Sequence, residues 1–222
     1  MAMSKKICLT PSNQPENLYA YGNTNEKIQC GRIAQYAAVA LERCGFEVLV
    51  LQDVSLSEKV RQSNKWGADL HIPIHTNAHD GKVSGTRMMA YDKGESYKAC
   101  SAIYDHLAAY TPGKSENISI HPEYYEIKNT YAPCAYVEVD FHDVPAVAKW
   151  IIENAEGIGE AICRGVCDYF KVQYTLPKVE EPAKELYRVQ VGSFTVKANA
   201  EAMLKKAKEA GFKDAFITTV KI

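Results

Sequence analysis

The sequence lacks any surplus of charge and any long apolar run, and each absence excludes a class of protein. Its 222 residues carry 26 basic and 27 acidic side chains, for a net charge of −1. Without a cationic face, nucleic acid and acidic membrane surfaces are not expected partners. The N-terminal "KKICLT" is too short an apolar run for a signal peptide or a membrane helix. We therefore expect cytoplasmic synthesis without a signal peptide.

Cysteine is plentiful, but paired cysteine motifs are missing. The seven cysteines are odd in number and include no Cys-x-x-Cys pair, which favours reduced thiols over a disulfide framework or a zinc knuckle. Cys163 and Cys167 share a helical face because they are four residues apart. Small buried side chains explain that pair more simply than a site does.

Short β-prone runs alternate with helical periods over most of the chain. After the strand "KKICLT", a helix is predicted to open at Glu26 and end at Gly45, and "FEVLVL" follows as a strand. Ser55 and Glu58 have capping-box spacing ahead of the next helix, which precedes the strand "DLHIPIH". This βαβ rhythm predicts an α/β fold, with a mostly parallel twisted sheet flanked by helices.

The second half continues the pattern and then changes. "GTRMMAY" and "CAYVEVDF" are predicted strands, and one long helix is predicted over 145–170 with Asp143 as its N-cap. Prolines and charges in 173–185 indicate a linker between a main domain, 1–172, and a terminal segment, 186–222. That segment has the pattern of a strand, a helix and a strand, which is too small to fold without a partner.

Three of the six histidines fall four residues apart in "DLHIPIHTNAHDG". On an extended strand His71 and His75 are about 13 Å apart, so they cannot share one metal ion. His75 ends the strand, where ligands face the crevice of a parallel sheet, whereas His71 is expected to be a hydrogen-bonded sheet residue. His79 lies in the following loop and would have to fold back to take part.

A metal site built on His75 needs carboxylates from other strand ends. Glu26 opens the first helix near the same edge, although the helix dipole alone also favours an acid there. Glu138 stands between apolar residues in "CAYVEVDF", so this carboxylate is either paired or functional. The loop "IHPEYYEI" is expected to bring its two tyrosines and Glu126 close to the crevice, as a groove for sugar or peptide.

These segments resemble the zinc-dependent N-acetylmuramoyl-L-alanine amidases of cell-wall hydrolases, sporulation enzymes and phage endolysins. The resemblance covers most of 5–170 and rests on "NEKIQCGRIAQYAAVALERCGFEV", "RQSNKWGADLHIPIHTNA" and "YVEVDFHD". It implies that Glu26 and His75 bind Zn²⁺ and that Glu138 is the general base. The bond cleaved would be the amide between N-acetylmuramic acid and L-alanine of peptidoglycan.

The chain departs from that family at the first metal ligand. Members carry Gly-His-Gly after the first strand, but this sequence has "LTPSNQ", and Asn13 falls where the histidine should be. Three interpretations stay open: His142 supplies the missing imidazole, His79 folds back, or the site is weakened or lost in a non-catalytic peptidoglycan-binding pseudoenzyme. By the same resemblance Asn77 and Arg61 support the site, and Asn13 becomes a candidate for substrate binding.

The C-terminal stretches "VQVGSF" and "NAEAMLKKAKEAGF" resemble one half of a SPOR peptidoglycan-binding domain. The full domain joins two such halves in one sheet, so a single half implies pairing across two chains, as a homodimer. A stub that only stabilises the main domain is the alternative. Together the resemblances imply an endolysin-like or sporulation hydrolase that acts on the cell wall after release. A hydrolase of related fold that acts on another amide is the third possibility.

Overall fold

The computed structural model describes residues 4–114, 117–177, 187 and 189–220. The chain divides into two compact units, Met1–Pro177 and Lys178–Ile222. The described residues of the first unit form six strands and six helices. In chain order these are β1 (Lys6–Pro11), α1 (Glu26–Arg43), β2 (Glu47–Val50), α2 (Leu56–Trp66), β3 (Leu70–Asn77), β4 (Arg87–Ala90), α3 (Glu95–Tyr110), β5 (Ile118–Ile120), α4 (Tyr125–Asn129), β6 (Tyr136–Phe141), α5 (Pro145–Glu153) and α6 (Ala155–Phe170). Within the described ranges, no helix combines the length and the apolar character needed to cross a membrane.

The six strands form one sheet in the order β2-β1-β3-β6-β4-β5. All neighbouring strands are parallel except β4 and β6, which are antiparallel. The predicted α/β fold with a mostly parallel sheet is confirmed. Because β1, β3 and β6 are parallel neighbours, their carboxyl ends meet at one edge, where sites of such sheets gather.

Helices α1 and α3 both pack against α6, and α2 packs against α4. The contact between α3 and α6 depends on Gly165, since a Cβ atom there would lie 2.3 Å from the Cα of Ile103. Helix starts follow the sequence signals. Asn25 caps α1 by accepting the amide of Ile28, and Ser55 caps α2 by accepting the amide of Glu58.

The predicted single helix over 145–170 is wrong, because the chain forms two helices that break at Asn154. The side-chain Nδ2 of Asn154 donates to the Trp150 carbonyl, and its Oδ1 accepts a hydrogen bond from the Tyr110 hydroxyl. The predicted N-cap Asp143 is also wrong. Its carboxylate instead accepts the backbone amides of the loop after β3, so it holds that loop rather than the helix end.

The first unit runs past its predicted end at residue 172. Arg43, at the end of α1, donates to the Thr175 carbonyl at 2.9 Å and forms two hydrogen bonds with Glu160 on α6. The Tyr174 hydroxyl donates to the same Glu160 carboxylate at 2.6 Å. These contacts fix the segment after α6 against the two helices, which is why the compact unit ends at Pro177.

In the second unit, the described residues form one helix, α7 (Lys197–Glu209). The strands expected on either side of it are not formed in the described parts of 187–220, where Val189 and Val220 are largely exposed. A lone strand without a paired neighbour is not stable. Most of the predicted linker, 178–185, lies outside the described residues.

Candidate active site

Glu26 and His75 meet at the carboxyl edge of the sheet. Glu26 stands in the first turn of α1, and His75 lies near the end of β3. The Glu26 Oε1 atom is 2.8 Å from His75 Nδ1 and accepts the Thr76 amide at 3.3 Å, while Oε2 accepts the Asn17 side chain at 2.6 Å. The carboxylate is therefore buried and held on both oxygens beside an imidazole.

The electrostatics of this pair suit a cation. Burial would raise the pKa of Glu26, but its hydrogen bonds to His75 and Asn17 prevail and hold it below the ordinary value. Burial also opposes protonation of His75, yet the bond to Glu26 and the nearby Glu138 carboxylate raise its pKa. Both shifts favour the charged forms, a carboxylate beside an imidazolium, and a metal ion can take the place of a proton between them.

Glu138 lies next to His75 in the sheet. It is paired in register with His75 of β3 on one side and Arg87 of β4 on the other. Its Oε2 atom is buried and has no hydrogen-bond partner among the described residues. Burial raises the pKa of Glu138 to about 7; the Glu26 charge adds to this effect, and His75 and Arg87 oppose it. A carboxylate poised near neutrality beside an imidazole is suited to proton transfer.

A cleft of about 410 Å³ opens in front of His75. The Tyr136 ring stacks on His75 with centroids 4.9 Å apart and meets the edge of Tyr124 at 5.7 Å. The expectation that the "IHPEYYEI" loop reaches the crevice is confirmed. The cleft is lined by Asn13, Gln14, Val54, Ser55, Leu56, Lys59, His75, Tyr124, Tyr125, Glu126 and Tyr136.

A buried polar network lies beneath the cleft. The Glu126 Oε1 atom accepts the Thr10 hydroxyl at 2.7 Å and lies 3.1 Å from His71 Nε2. His71 Nδ1 lies 2.9 Å from the Ser63 hydroxyl. The prediction that His71 is a hydrogen-bonded sheet residue is confirmed. Although burial alone would raise the pKa of Glu126, its hydrogen bonds to His71 and Thr10 and the nearby Lys59 charge together lower that pKa.

Lys59 is a cleft residue that sequence reasoning missed. Its side chain is buried, and Nζ donates to the Pro11 carbonyl at 2.6 Å. Burial lowers the pKa of Lys59, while the Glu126 charge opposes that shift. The segment "SEKVRQ" carries no motif that marks this lysine among its charged neighbours. Lys59 differs from its charged neighbours in the hydrogen bond from its Nζ to the Pro11 carbonyl at the end of β1.

His142 is held away from the Glu26–His75 pair. Its Nδ1 atom lies 2.9 Å from the Thr76 hydroxyl and 3.1 Å from the Thr76 carbonyl, and its ring stacks on Tyr19 at 5.0 Å. Burial lowers the pKa of His142, which favours its neutral imidazole. Within the described ranges, Glu26, His75 and His142 do not form a group whose ligand atoms all lie within 4.8 Å of one another.

Asn13 uses its whole amide to hold a neighbouring loop. Its Nδ2 donates to the Val54 carbonyl at 2.8 Å, and its Oδ1 accepts the Asp53 amide at 3.0 Å. Asp53 adopts a left-handed conformation with φ +62, which the clamp stabilises. The Asn77 backbone carbonyl accepts the His142 amide at 2.8 Å, so this residue joins the ends of β3 and β6.

Two predicted site residues lie elsewhere. Arg61 is exposed on α2, where it forms a forked ion pair with Glu58, and its supporting role stays a prediction. His79 is exposed in the loop after β3 and lies 3.4 Å from Asp80, so the expectation that it folds back is wrong. The Asp143 carboxylate accepts the His79 amide and thereby holds the loop in this outward position.

Comparison with known proteins gives two family matches. The family described as N-acetylmuramoyl-L-alanine amidase matches residues 9–168, and the SPOR domain matches residues 170–221. The sporulation-specific N-acetylmuramoyl-L-alanine amidase of Bacillus subtilis is 26% identical over 177 residues. The N-acetylmuramoyl-L-alanine amidase CwlM of Bacillus licheniformis is 25% identical over 161 residues. In both comparisons the match covers 72% of this chain and 61% of the relative, so the chain spans about three fifths of their length.

Solved structures share the fold. The catalytic domain of CwlV, an N-acetylmuramoyl-L-alanine amidase from Bacillus (Paenibacillus) polymyxa, superposes with a TM-score of 0.70 at 16% identity. That comparison covers 76% of this chain and 99% of the CwlV domain. The described part of the first unit therefore has the architecture of an amidase catalytic domain.

Proposed function

The chain belongs to the N-acetylmuramoyl-L-alanine amidase family, and from that premise we propose that it hydrolyses the amide between N-acetylmuramic acid and L-alanine of peptidoglycan. The observation that carries the proposal is the meeting of Glu26 and His75 at 2.8 Å, beside Glu138 and an open cleft. One carboxylate and one imidazole form the core of a metal site, and a second carboxylate stands ready for protons.

The donor set fits a zinc ion in part. Glu26 and His75 would hold it, and when bound there zinc polarises an amide carbonyl and favours hydroxide at neutral pH. The buried, unpartnered Oε2 of Glu138 is the atom that accepts the proton of the attacking water. The same carboxyl group then returns that proton to the leaving nitrogen of L-alanine.

That His142 is the third protein ligand remains a prediction. Its Nδ1 atom hydrogen-bonds to the Thr76 carbonyl, an arrangement common in histidines that bind metal through the other nitrogen. The ring must turn from its stack on Tyr19 to approach Glu26 and His75. Until it does, two protein ligands give weak metal binding, which is the expected consequence of having asparagine at position 13.

The cleft suits a sugar–peptide substrate. Tyr124, Tyr125 and Tyr136 offer flat apolar faces with polar edges, and Lys59 provides a cation at the cleft wall. Asn13 and Asn77 are proposed to contact the substrate. A side-chain amide has two donor hydrogens and two acceptor lone pairs, so Asn13 can hold its loop and still bond to a ligand. The SPOR segment would hold the hydrolase on peptidoglycan, and pairing of two such segments in a homodimer remains our proposal. A lytic role of the endolysin type is proposed on the same basis.

The test is release of stem peptides from purified cell wall by the full chain. We expect release with zinc present, loss of release after treatment with a chelator, and recovery when zinc is added back. His75→Ala should lose both the zinc equivalent and the activity. Undiminished release by the chelated protein would overturn the zinc role, whereas wall binding without any release would favour the pseudoenzyme.

A further inference from the structure

Three cysteines converge at the opposite end of α1 from the cleft. Cys44 follows the last residue of α1, and Cys163 and Cys167 lie one turn apart on α6. Since α1 spans 18 residues, about 27 Å separate this end from Glu26. The three sulfurs all lie within 4.8 Å of one another, and those of Cys44 and Cys163 are 3.7 Å apart. All three are free thiols.

These distances match a metal–thiolate triangle. A metal ion about 2.3 Å from each of three sulfurs places the sulfurs about 4.0 Å apart. The cysteine trio already approaches that spacing, so binding requires little movement of α1 against α6. Among the described residues it is the one group of three or more potential histidine, cysteine or carboxylate ligands that meets the 4.8 Å limit.

The surroundings favour thiolate sulfur. The Thr175 amide donates to the Cys44 sulfur at 3.4 Å, a bond that stabilises negative charge on sulfur. Arg43, next to Cys44 in the chain, adds a positive charge near the trio. A cation can therefore replace thiol protons here.

Ligand type and number point to one kind of ion. Sulfur ligands select soft metals such as copper(I) and zinc. Zinc in structural sites takes four ligands, whereas this group supplies three sulfurs, of which Cys163 and Cys167 are fully buried and Cys44 is 9% exposed. We propose that Cys44, Cys163 and Cys167 form a three-coordinate thiolate site for a soft cation, and that copper(I) is its ion. Bound there, it would join α1, α6 and the segment after α6.

The test is anaerobic titration of the full, reduced chain with copper(I) against a chromophoric copper(I) chelator. The parent is expected to take one equivalent from the chelator, and X-ray absorption should find three sulfur neighbours around copper. Cys163→Ala and Cys44→Ser should bind at least tenfold more weakly. The matched control is Cys100→Ala, which removes a buried thiol that donates to the Met89 carbonyl outside the trio.

Circular dichroism identifies any variant that fails to fold. If Cys163→Ala does not fold, Cys44→Ser, which lies at the edge of the cluster, still tests the site. Equal copper(I) affinity in the parent and in a folded trio variant would overturn the proposal. So would displacement of copper by equimolar zinc, or a Cys44–Cys163 disulfide that persists where copper should bind. None of these readouts involves wall hydrolysis, so the outcome is independent of the proposed amidase activity.

Discussion

Glu138 of β6 lies directly beside His75 of β3 in the sheet, and its buried Oε2 atom has no partner among the described residues. Both side chains are fixed by backbone pairing of parallel strands rather than by a loop. Sites on such rigid elements hold their geometry closely. A proton-accepting carboxylate and an imidazole are thus kept side by side before any ligand arrives.

Glu138→Gln should lower kcat for stem-peptide release about 10²- to 10⁴-fold, because the amide cannot take up a proton. Zinc content should stay at the parent level, since Glu138 is not a proposed ligand. Glu153→Gln, which alters an exposed carboxylate on α5, is the matched control and should leave kcat unchanged. Release by Glu138→Gln within a few-fold of the parent would remove the general-base assignment.

Asn13→His should tighten zinc binding at least about tenfold, because it adds the imidazole that the sequence lacks. It should also lower the free energy of unfolding by about 1–3 kcal/mol, since the hydrogen bonds to Asp53 and Val54 are lost. Asn13→Ala separates the two effects, with a similar loss of stability and no gain in zinc affinity. Equal zinc affinity in both variants would show that position 13 does not reach the metal.

Glu126→Gln should reduce the amount by which the free energy of unfolding falls at acid pH. The folded-state pKa of Glu126 lies below its ordinary value, so its contribution is complete above about pH 5 and is lost as the pH falls through the folded-state pKa. Denaturant unfolding from about pH 3 to 7 should show a smaller loss toward acid in the variant than in the parent. Parallel curves for the two proteins would contradict this role, and Glu153→Gln should follow the parent.

Gly165→Ala should destabilise the first unit by about 1–3 kcal/mol or more through overpacking, because its Cβ would lie 2.3 Å from the backbone of Ile103. Gly157→Ala is the matched helical control. Its Cβ would displace the Tyr110 ring and break the bond from the Tyr110 hydroxyl to Asn154, but a side chain can move where the backbone of Ile103 cannot, so the cost should be smaller. Thermal unfolding should separate the two variants clearly, and equal melting temperatures would show that α3 and α6 can move apart.

Local signals predicted much of the fold. Capping by Ser55 acts over three residues, and the alternation of strands and helices predicts a mostly parallel sheet. His71 was predicted to be a sheet residue because strand geometry separates it from His75. Each of these predictions depends on spacing within one element, which the sequence displays directly.

The remaining features depend on partners far along the chain. Lys59 becomes buried because Nζ reaches Pro11, 48 residues away, and the break at Asn154 involves Tyr110, 44 residues away. Asp143 resembles a helix cap in sequence, but the loop after β3 competes for its carboxylate. No local pattern encodes such contacts.

The bonds from Arg43 to Thr175 and Glu160 also bear on how this protein can be recombined with others. A chimera that exchanges the C-terminal unit should be joined after Pro177. A junction at Phe170 would delete the segment 171–177. The Thr175 amide of that segment donates to Cys44, and its carbonyl accepts from Arg43. The first unit thus includes its own C-terminal segment, and we expect that a module exchanged beyond Pro177 leaves its core closed.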